Sequence, residues 1–337
     1  MPDYGALVIS LDFEEDWGAP DGALANGTGR PPSAAGSGPA VAGMLDLFEE
    51  FGVAATWATV GFLFARGKRE LERFAPAPAA RPAYADPALD PYAEPVGEDE
   101  AADPGHFAPS VIDAIRRRPR QEIATHTFSH YYCLEPGQDR GAFAADLTSA
   151  VAIAGASGVR LRSIVFPRNQ RNPAYDDVLL AAGLRCYRGN AGGWMYSAVA
   201  RKGGGSRRWL ARGVRLVDAY VPAAGGGPHS IPWTSVPQPG GLCDVPASFF
   251  LRAYAPRARA FEALRRRRIV ASLEQAARAK EIVHLWWHPH NFATHTAENL
   301  AFLRSLLEAF ARLRAREGMR SLTMAEAARE AGGDIDG

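Results

Sequence analysis

The sequence predicts an α/β fold in which helices cover the outside of a parallel sheet or barrel. Short apolar runs, which are typical of buried parallel strands, alternate along the chain with segments of helical periodicity. Several of these runs end directly in polar or ionisable residues. That placement is expected in parallel α/β architectures, because the loops after the carboxyl ends of the strands converge on one active face.

The first elements can be assigned from local patterns. Residues 6–11 form an uninterrupted apolar run, as expected of a strand buried on both faces. Residues 41–51 carry apolar side chains at helical spacing, and Gly52 follows as a suitable C-terminal cap. Residues 53–60 contain the run AATWAT and predict a second strand, which ends at Gly61. A strand, a helix and a second strand in this order form the first unit of a parallel sheet.

The same alternation continues to the C-terminus. Ser110 can cap a short helix, and Gly183 stops another helix before the strand that follows it. The further predicted elements are helix 111–118, strand 121–125, helix 142–155, strand 162–166, helix 173–182, strand 184–187, helix 257–279, strand 281–287 and helix 297–316. They extend the parallel arrangement of the first unit.

Two stretches interrupt this rhythm. Residues 75–105 are rich in Pro, Ala and acidic residues, and are predicted to form a surface excursion or lid. Residues 189–245 are rich in Gly and contain several aromatic residues, and resemble an insertion more than a separate domain. We therefore expect one domain with two loop insertions.

Composition and charge exclude several classes of protein. Apolar residues make up 47% of the 337 residues and charged residues 22%, so extensive disorder is not expected. The formal net charge of +1 gives no reason to expect a nucleic-acid or membrane-surface partner. The three cysteines have no close spacing, which makes a disulfide framework improbable. No segment reads as a signal peptide or membrane span, and we expect a soluble, cytoplasmic protein.

The strongest chemical signal is a set of polar residues at two predicted strand ends. The first strand runs into four carboxylates within residues 12–16, and the strand 121–125 runs into His126 and His130. One carboxylate and two imidazoles make a facial ligand set for a divalent metal ion, with positions left open for water and substrate. The sequence therefore predicts a metal-assisted hydrolase.

The order of these motifs resembles that of the polysaccharide deacetylase superfamily, the NodB-homology fold of metal-dependent carbohydrate de-N-acetylases that includes the family 4 carbohydrate esterases. SLDFEED at 10–16 is similar to the first family motif, and HTFSH at 126–130 matches its His-Ser/Thr-x-x-His motif. FPRNQ at 166–170 approximates the third motif, and His288 after an apolar strand is similar to the last. The resemblance implies a single domain over residues 1–337, folded as a distorted (β/α) barrel of about seven parallel strands.

The resemblance also implies a metal and its ligands. The family usually has two adjacent aspartates in its first motif, whereas here one residue separates Asp12 from Glu14. An extended backbone places both on the same side, so they can still act as a pair. We assign Glu14, His126 and His130 as the ligands of one divalent ion, with Asp16 as the rival acidic ligand. Zn²⁺ is the expected ion, with Co²⁺, Ni²⁺ and Mn²⁺ as alternatives.

The remaining roles concern proton transfer and substrate. The resemblance implies that Asp12 takes the proton of the attacking water and that His288 protonates the departing amine. Arg168 is expected to hold Asp12 ionised through a bidentate contact. The family's aspartate that tunes the catalytic histidine has no clear counterpart. The candidate substrate-binding residues are Trp194, His290 and Asn291.

The expected reaction is removal of an N-acetyl or similar acyl group from an amino sugar or glycan precursor. The substrate would be a small molecule or an oligosaccharide. Two alternatives lie within the superfamily: hydrolysis of a cyclic amide, as in allantoinases, or removal of a formyl group. A catalytically inactive, glycan-binding relative is a third. A non-haem Fe(II) oxygenase shares the ligand types, but its usual HxD/E pattern is missing.

Overall fold

Parallel strands form one continuous sheet. The computed structural model of the chain describes residues 1–18, 36–190 and 229–335. Within these ranges every pairing between two of the strands named below is parallel. The nine strands found there are β1 (Ala6–Phe13), β2 (Ala55–Thr59), β3 (Gln121–Thr125), β4 (Ser163–Ile164), β5 (Cys186–Tyr187), β6 (Cys243–Asp244), β7 (Phe249–Phe250), β8 (Ile282–Trp287) and β9 (Arg320–Leu322). The predicted parallel α/β fold is confirmed.

The order of the strands makes the sheet curl into an open barrel. It runs β6-β5-β4-β3-β2-β1-β8-β7, and β9 pairs with the first half of β1. The two end strands, β6 and β7, are neighbours in the chain, joined by residues 245–248. β4 and β5 are shorter than predicted: β4 is trimmed at both ends, and β5 begins two residues later than expected. At Val165 and at Arg185 the pairing continues only as single backbone hydrogen bonds.

Helices follow the strands as the alternation predicts. The α-helices of the described ranges are α1 (Gly38–Phe51), α2 (Lys68–Phe74), α3 (Pro109–Arg117), α4 (Arg140–Ala156), α5 (Asp176–Ala181), α6 (Glu262–Ala279), α7 (Thr296–Glu317) and α8 (Met324–Glu330). Gly52 ends α1 with a φ of 61°, as predicted. Ser110 does not cap α3, because the helix already begins at Pro109, whose fixed φ suits the first helical position. None of these helices combines the length and apolar character needed to cross a membrane.

Alternate residues of the central strand β1 face two different cores. Leu7, Ile9 and Leu11 pack into the large apolar cluster between sheet and helices. Val8 belongs to a second, smaller cluster inside the barrel, which also takes in residues of α8. Because side chains of a strand alternate between its faces, Ser10 points to the same interior as Val8. The barrel interior therefore becomes polar toward the carboxyl end of β1.

The predicted insertion at 75–105 packs firmly against the barrel. It consists of short 3₁₀ turns rather than regular helices. The backbone N–H of Ala83 donates to the carbonyl of Gly137 (2.9 Å), and the Tyr84 hydroxyl accepts from the backbone N–H of Tyr132 (2.8 Å). These bonds fix it beside the loop after β3. Of the second insertion, the described part supplies β6 and the buried Trp233.

The three cysteines are free and buried. This agrees with the spacing of the cysteines, which gives no reason to expect a disulfide framework.

Candidate metal centre and catalytic site

Three buried side chains converge at the carboxyl ends of β1 and β3. The potential ligand atoms of Glu14, His126 and His130 all lie within 4.8 Å of one another. The Nε2 atoms of His126 and His130 lie 3.3 and 3.1 Å from the same atom, Oε2 of Glu14. The structure thus brings the three predicted ligands together, although they come from two strands separated by more than a hundred residues of chain.

A backbone hydrogen bond fixes the orientation of His126. Its Nδ1 lies 2.8 Å from the carbonyl oxygen of Val165, and because a carbonyl only accepts, Nδ1 carries the proton. In the neutral imidazole, Nε2 then presents its lone pair to the Glu14 carboxylate. Two facing lone pairs repel unless a proton or a metal ion lies between them. Two imidazoles and a carboxylate directed at one point are the donor set that Zn²⁺ binds, so these residues fit the implied metal.

His130 is braced from its outer side by Tyr132. Its Nδ1 lies 3.1 Å from the hydroxyl oxygen of Tyr132. Burial lowers the pKa of His130 and outweighs the opposite effect of Glu14, so the neutral, metal-binding form is favoured. Since the N–H of Tyr132 is bonded to Tyr84, the 75–105 segment braces this ligand through two hydrogen bonds.

Glu14 is held ionised by its surroundings. Burial alone would raise its pKa, but the neighbouring imidazoles, His288 first among them, hold the pKa well below its usual value. The ionised carboxylate is the form that binds a metal. Gly18 lies against this carboxylate so closely that a Cβ there would overlap both of its oxygens.

The loop that carries the two histidines is fixed by Asp146 of α4. Its carboxylate accepts from the backbone N–H groups of Phe128 (2.8 Å) and Ser129 (3.0 Å), and from the Ser129 hydroxyl. Burial nevertheless raises the pKa of Asp146 to about 6. The loop holds two residues at positive φ, Thr127 at 65° and His130 at 56°. Such conformations persist only where the surroundings enforce them, and Asp146 is part of that enforcement.

Asp12 lies beside the cluster and forms a bidentate ion pair with Arg188. The two guanidinium nitrogens donate to Oδ1 at 2.6 Å and to Oδ2 at 2.8 Å. Both side chains are buried. Burial would raise the pKa of Asp12, but the charge and hydrogen bonds of Arg188 outweigh it and lower the pKa. Asp12 is therefore ionised at neutral pH, as a proton acceptor must be.

This pairing corrects the role expected of Arg168. Arg168 lies in the turn after β4, and its backbone has a φ of 53°. Its guanidinium lies over the ring of Tyr132 at 4.2 Å and contacts Glu135 at 3.3 Å. Arg188 follows the next strand, β5, and it makes the contact to Asp12 that was expected of Arg168.

The rule that identified the other site residues also applies to Arg188. It directly follows β5, just as His126 directly follows β3 and Asp12 lies near the end of β1. It lies between the predicted strand 184–187 and the predicted insertion 189–245, and no role is predicted for it from the sequence. Arg188 is found when the polar residue after every predicted strand, including the shortest strands, is treated as a site candidate.

His288 directly follows β8 and lies beside both Glu14 and Asp12. Its Nε2 is 3.4 Å from Oε1 of Glu14 and 3.8 Å from Oδ2 of Asp12. Its side chain is 23% exposed, so it also faces the solvent from which a substrate arrives. The rings of Phe250 and Trp286 border it, each with a centroid distance of 5.7 Å. Among the described residues none forms a hydrogen bond to its Nδ1.

The other predicted residues lie near the site or outside the described residues. The ring of His290 is 5.3 Å from that of His288, and the N–H of Asn291 donates to the His288 carbonyl at 3.1 Å. Both therefore border the candidate acid. Trp194 lies outside the described residues.

Asp16, the rival acidic ligand, takes another position. The chain turns into a 3₁₀ helix at Glu15–Gly18, and this turns Asp16 toward the 75–105 segment. Its N–H donates to the carbonyl of Gly105 at 3.1 Å, and its carboxylate lies against the same residue. Glu14 is the carboxylate that meets the two histidines.

The sequence matches no protein-family model and no curated protein. The fold, in contrast, is similar to solved structures. A provisionally assigned polysaccharide deacetylase from Mycobacterium smegmatis has a TM-score of 0.55 at 16% identity, over 98% of this chain and 92% of that one. The PuuE allantoinase has a TM-score of 0.51 at 13% identity, over 98% and 91%. A provisionally assigned polysaccharide deacetylase from Pseudomonas aeruginosa PAO1 has a TM-score of 0.50 at 13% identity, over 96% and 89%. The chain has the fold of these proteins.

Proposed function

We propose that this chain is a polysaccharide deacetylase superfamily member that hydrolyses an amide bond with the help of one divalent metal ion. The reaction would remove an N-acetyl or similar acyl group from an amino sugar or glycan precursor. The observation that carries the proposal is the convergence of Glu14, His126 and His130 beside an ionised Asp12 and a solvent-facing His288. Zn²⁺ is the ion that this donor set favours.

The division of labour follows from the positions of the groups. The bound metal would supply Lewis-acid polarisation of the amide carbonyl and acidify the attacking water. Asp12, held ionised by Arg188, accepts a proton from that water. His288 donates a proton to the nitrogen that leaves, a task suited to an imidazole. Because Nε2 of His288 lies 3.8 Å from Asp12 and 3.4 Å from Glu14, the proposed acid and base both stand within reach of a substrate held at the three ligands.

The metal site is tested with a matched pair of histidine variants. His130 and His295 both have a φ of 56°, a conformation that Asn tolerates, so each is replaced by Asn. His130→Asn removes a ligand and should lose the roughly one ion per chain found in the wild type. His295→Asn, at the exposed start of α7, should keep it. Elemental mass spectrometry of the purified proteins measures this content, and equal metal in the two variants would contradict the site.

The base and the acid are tested by turnover with metal retained. Asp12→Asn should lower kcat by about a hundredfold to ten-thousandfold, because the proton acceptor is lost while the three ligands remain. Asp12→Asn also leaves the buried Arg188 without its anionic partner, which can destabilise the fold. His288→Gln is therefore measured beside it, because His288 is partly exposed and its replacement leaves this ion pair intact. Full turnover by a folded, metal-loaded Asp12→Asn protein would exclude Asp12 as the base.

The substrate is sought with a panel that separates the alternatives. N-acetylated sugars and sugar nucleotides, N-formyl sugars, and cyclic ureides such as allantoin are offered to the metal-loaded enzyme. Release of acetate supports the deacetylase proposal, whereas ring opening of a ureide supports the cyclic-amide alternative. Glycan binding without turnover of any compound supports an inactive relative.

A further inference from the structure

A row of buried polar side chains lies beneath the candidate base, on the interior face of the barrel. Ser10 and His284 are 0% exposed, and Arg188 is 2% exposed. Ser10 stands two residues before Asp12 on β1, and His284 lies on the neighbouring strand β8. Buried polar groups destabilise a protein unless they are hydrogen-bonded, so their partners show how the row is organised.

The directions of the hydrogen bonds can be assigned one after another. Nδ1 of His284 lies 3.0 and 3.2 Å from the carbonyl oxygens of Val245 and Pro246, so it is the donor. Burial, followed by the charge of Arg188, lowers the pKa of His284 to about 3, which leaves the ring neutral. Its Nε2 therefore has only a lone pair to offer, and the Ser10 hydroxyl, 2.8 Å away, must donate to it.

The orientation of Ser10 in turn orients Arg188. With its proton directed at His284, the Ser10 oxygen presents lone pairs, and a guanidinium nitrogen of Arg188 donates to it at 3.1 Å. The same nitrogen donates to Oδ1 of Asp12 at 2.6 Å. The second terminal nitrogen donates to Oδ2 of Asp12 and, at 3.1 Å, to the side-chain oxygen of Asn169.

The indole of Trp286 closes the remaining side. Its ring lies 4.1 Å from the central carbon of the Arg188 guanidinium, so the planar group is held against an aromatic face. Ser10 and Trp286 are register partners on β1 and β8. One pair of opposed residues thus supplies both the hydrogen-bond acceptor and the stacking surface.

We propose that Ser10 and His284 are positioning residues, which fix the rotation of the Arg188 guanidinium so that both terminal nitrogens face the Asp12 carboxylate. This inference rests on the proposed function, because the orientation of Arg188 affects turnover only if Asp12 is the base. Neither residue touches the metal ligands or the solvent-facing side of the site. His284 therefore acts on Asp12 indirectly: it orients the Ser10 hydroxyl, Ser10 accepts from Arg188, and Arg188 pairs with Asp12.

The test compares Ser10→Ala with Ser321→Ala. Ser321 is also a buried strand hydroxyl, 3% exposed, and its oxygen accepts a backbone hydrogen bond far from the base. Ser10→Ala should lower kcat by about tenfold to a hundredfold, with KM and metal content unchanged, since a charged donor loses its buried acceptor. Ser321→Ala should keep kcat. Ser10→Thr, which keeps the hydroxyl, should have a kcat close to that of the wild type.

A second readout does not depend on activity. In protein labelled with ¹⁵N-arginine, the Nη protons of Arg188, identified by comparison with Arg188→Lys, should be separately resolved in the wild type. In Ser10→Ala their signals should broaden toward one another, because the guanidinium loses one of the hydrogen bonds that restrict its rotation. Signals as sharp and as well separated in Ser10→Ala as in the wild type, or a change in KM alone, would overturn the positioning role. If no substrate is ever turned over, the proposed function fails, while the spectra still decide whether Ser10 locks Arg188.

Discussion

At the scale of single residues, the position of the proposed ligand Glu14 depends on the absence of a side chain at Gly18. Gly18 lies at the end of the short 3₁₀ turn that follows Glu14, and the ligand carboxylate fills the space where a Cβ would stand. Any larger residue at position 18 must push the carboxylate aside. The glycine therefore determines where the acidic ligand lies.

Gly18→Ala should weaken metal binding without unfolding the protein. The added methyl group displaces the Glu14 carboxylate from the two histidines, and we expect metal affinity to fall by about tenfold to a hundredfold. Gly155→Ala is the control, since a Cβ at this position of α4 meets nothing within 4 Å. Zn²⁺ titration against a competing chelator measures both affinities. Equal affinity in the two variants would show that Glu14 does not need this space.

The sequence identifies single residues best where they directly follow a strong strand. Glu14, His126 and His130 could be named in advance because they follow predicted strands and their order resembles the family motifs. Arg188 also follows a predicted strand, 184–187, but it was not named because none of the family motifs includes it. Ser10 is hidden for another reason: inside a buried strand, a serine reads as an ordinary core residue until its partners are known.

At the scale of elements, α4 acts on the metal site through one carboxylate. Asp146 binds the loop of the two histidines and is itself 1% exposed. Folding raises its pKa from the usual 3.8 to about 6. Its contribution to the free energy of unfolding is therefore fully present below about pH 4 and is lost as the pH rises through about 6.

Asp146→Asn should change this pH dependence in a defined direction. The variant cannot titrate, so between pH 4 and 7 the wild type should lose about 2 kcal/mol of stability relative to it. Urea unfolding at both pH values, with a chelator present to remove metal, measures the difference. Asp139→Asn, at the exposed N-cap of the same helix, serves as the control. Parallel curves for wild type and Asp146→Asn would contradict the raised pKa.

The predictability of elements follows their length and burial. The strand at Gln121–Thr125 was predicted to the residue, and helices α1, α4 and α7 within a few residues. Helix α2 was missed, because its seven residues bury only Leu71 and show no apolar stripe. The insertion at 75–105 was recognised as irregular, but its role as a brace depends on the contact between Tyr84 and Tyr132, which no local pattern reveals.

At the scale of the whole molecule, the fold could be predicted because alternation constrains topology. A helix between two strands provides the long crossover that parallel pairing needs, and this arrangement puts the carboxyl ends of the strands at one edge. The position of the site can then be predicted wherever polar or ionisable residues follow these strands. What the alternation does not determine is which strand ends face each other across the barrel, and this is why Arg188 rather than Arg168 reaches Asp12.

The order of the strands has a consequence for how the protein is made. All three proposed metal ligands lie within the first 130 residues, after β1 and β3, which β2 joins in the sheet. Arg188 and His288 leave the ribosome later, and β8, which pairs with β1, is synthesised only near the end. On the proposed function, a growing chain therefore possesses the groups that would hold an ion before it possesses those that would act on a substrate. Loading with metal could then precede the acquisition of activity.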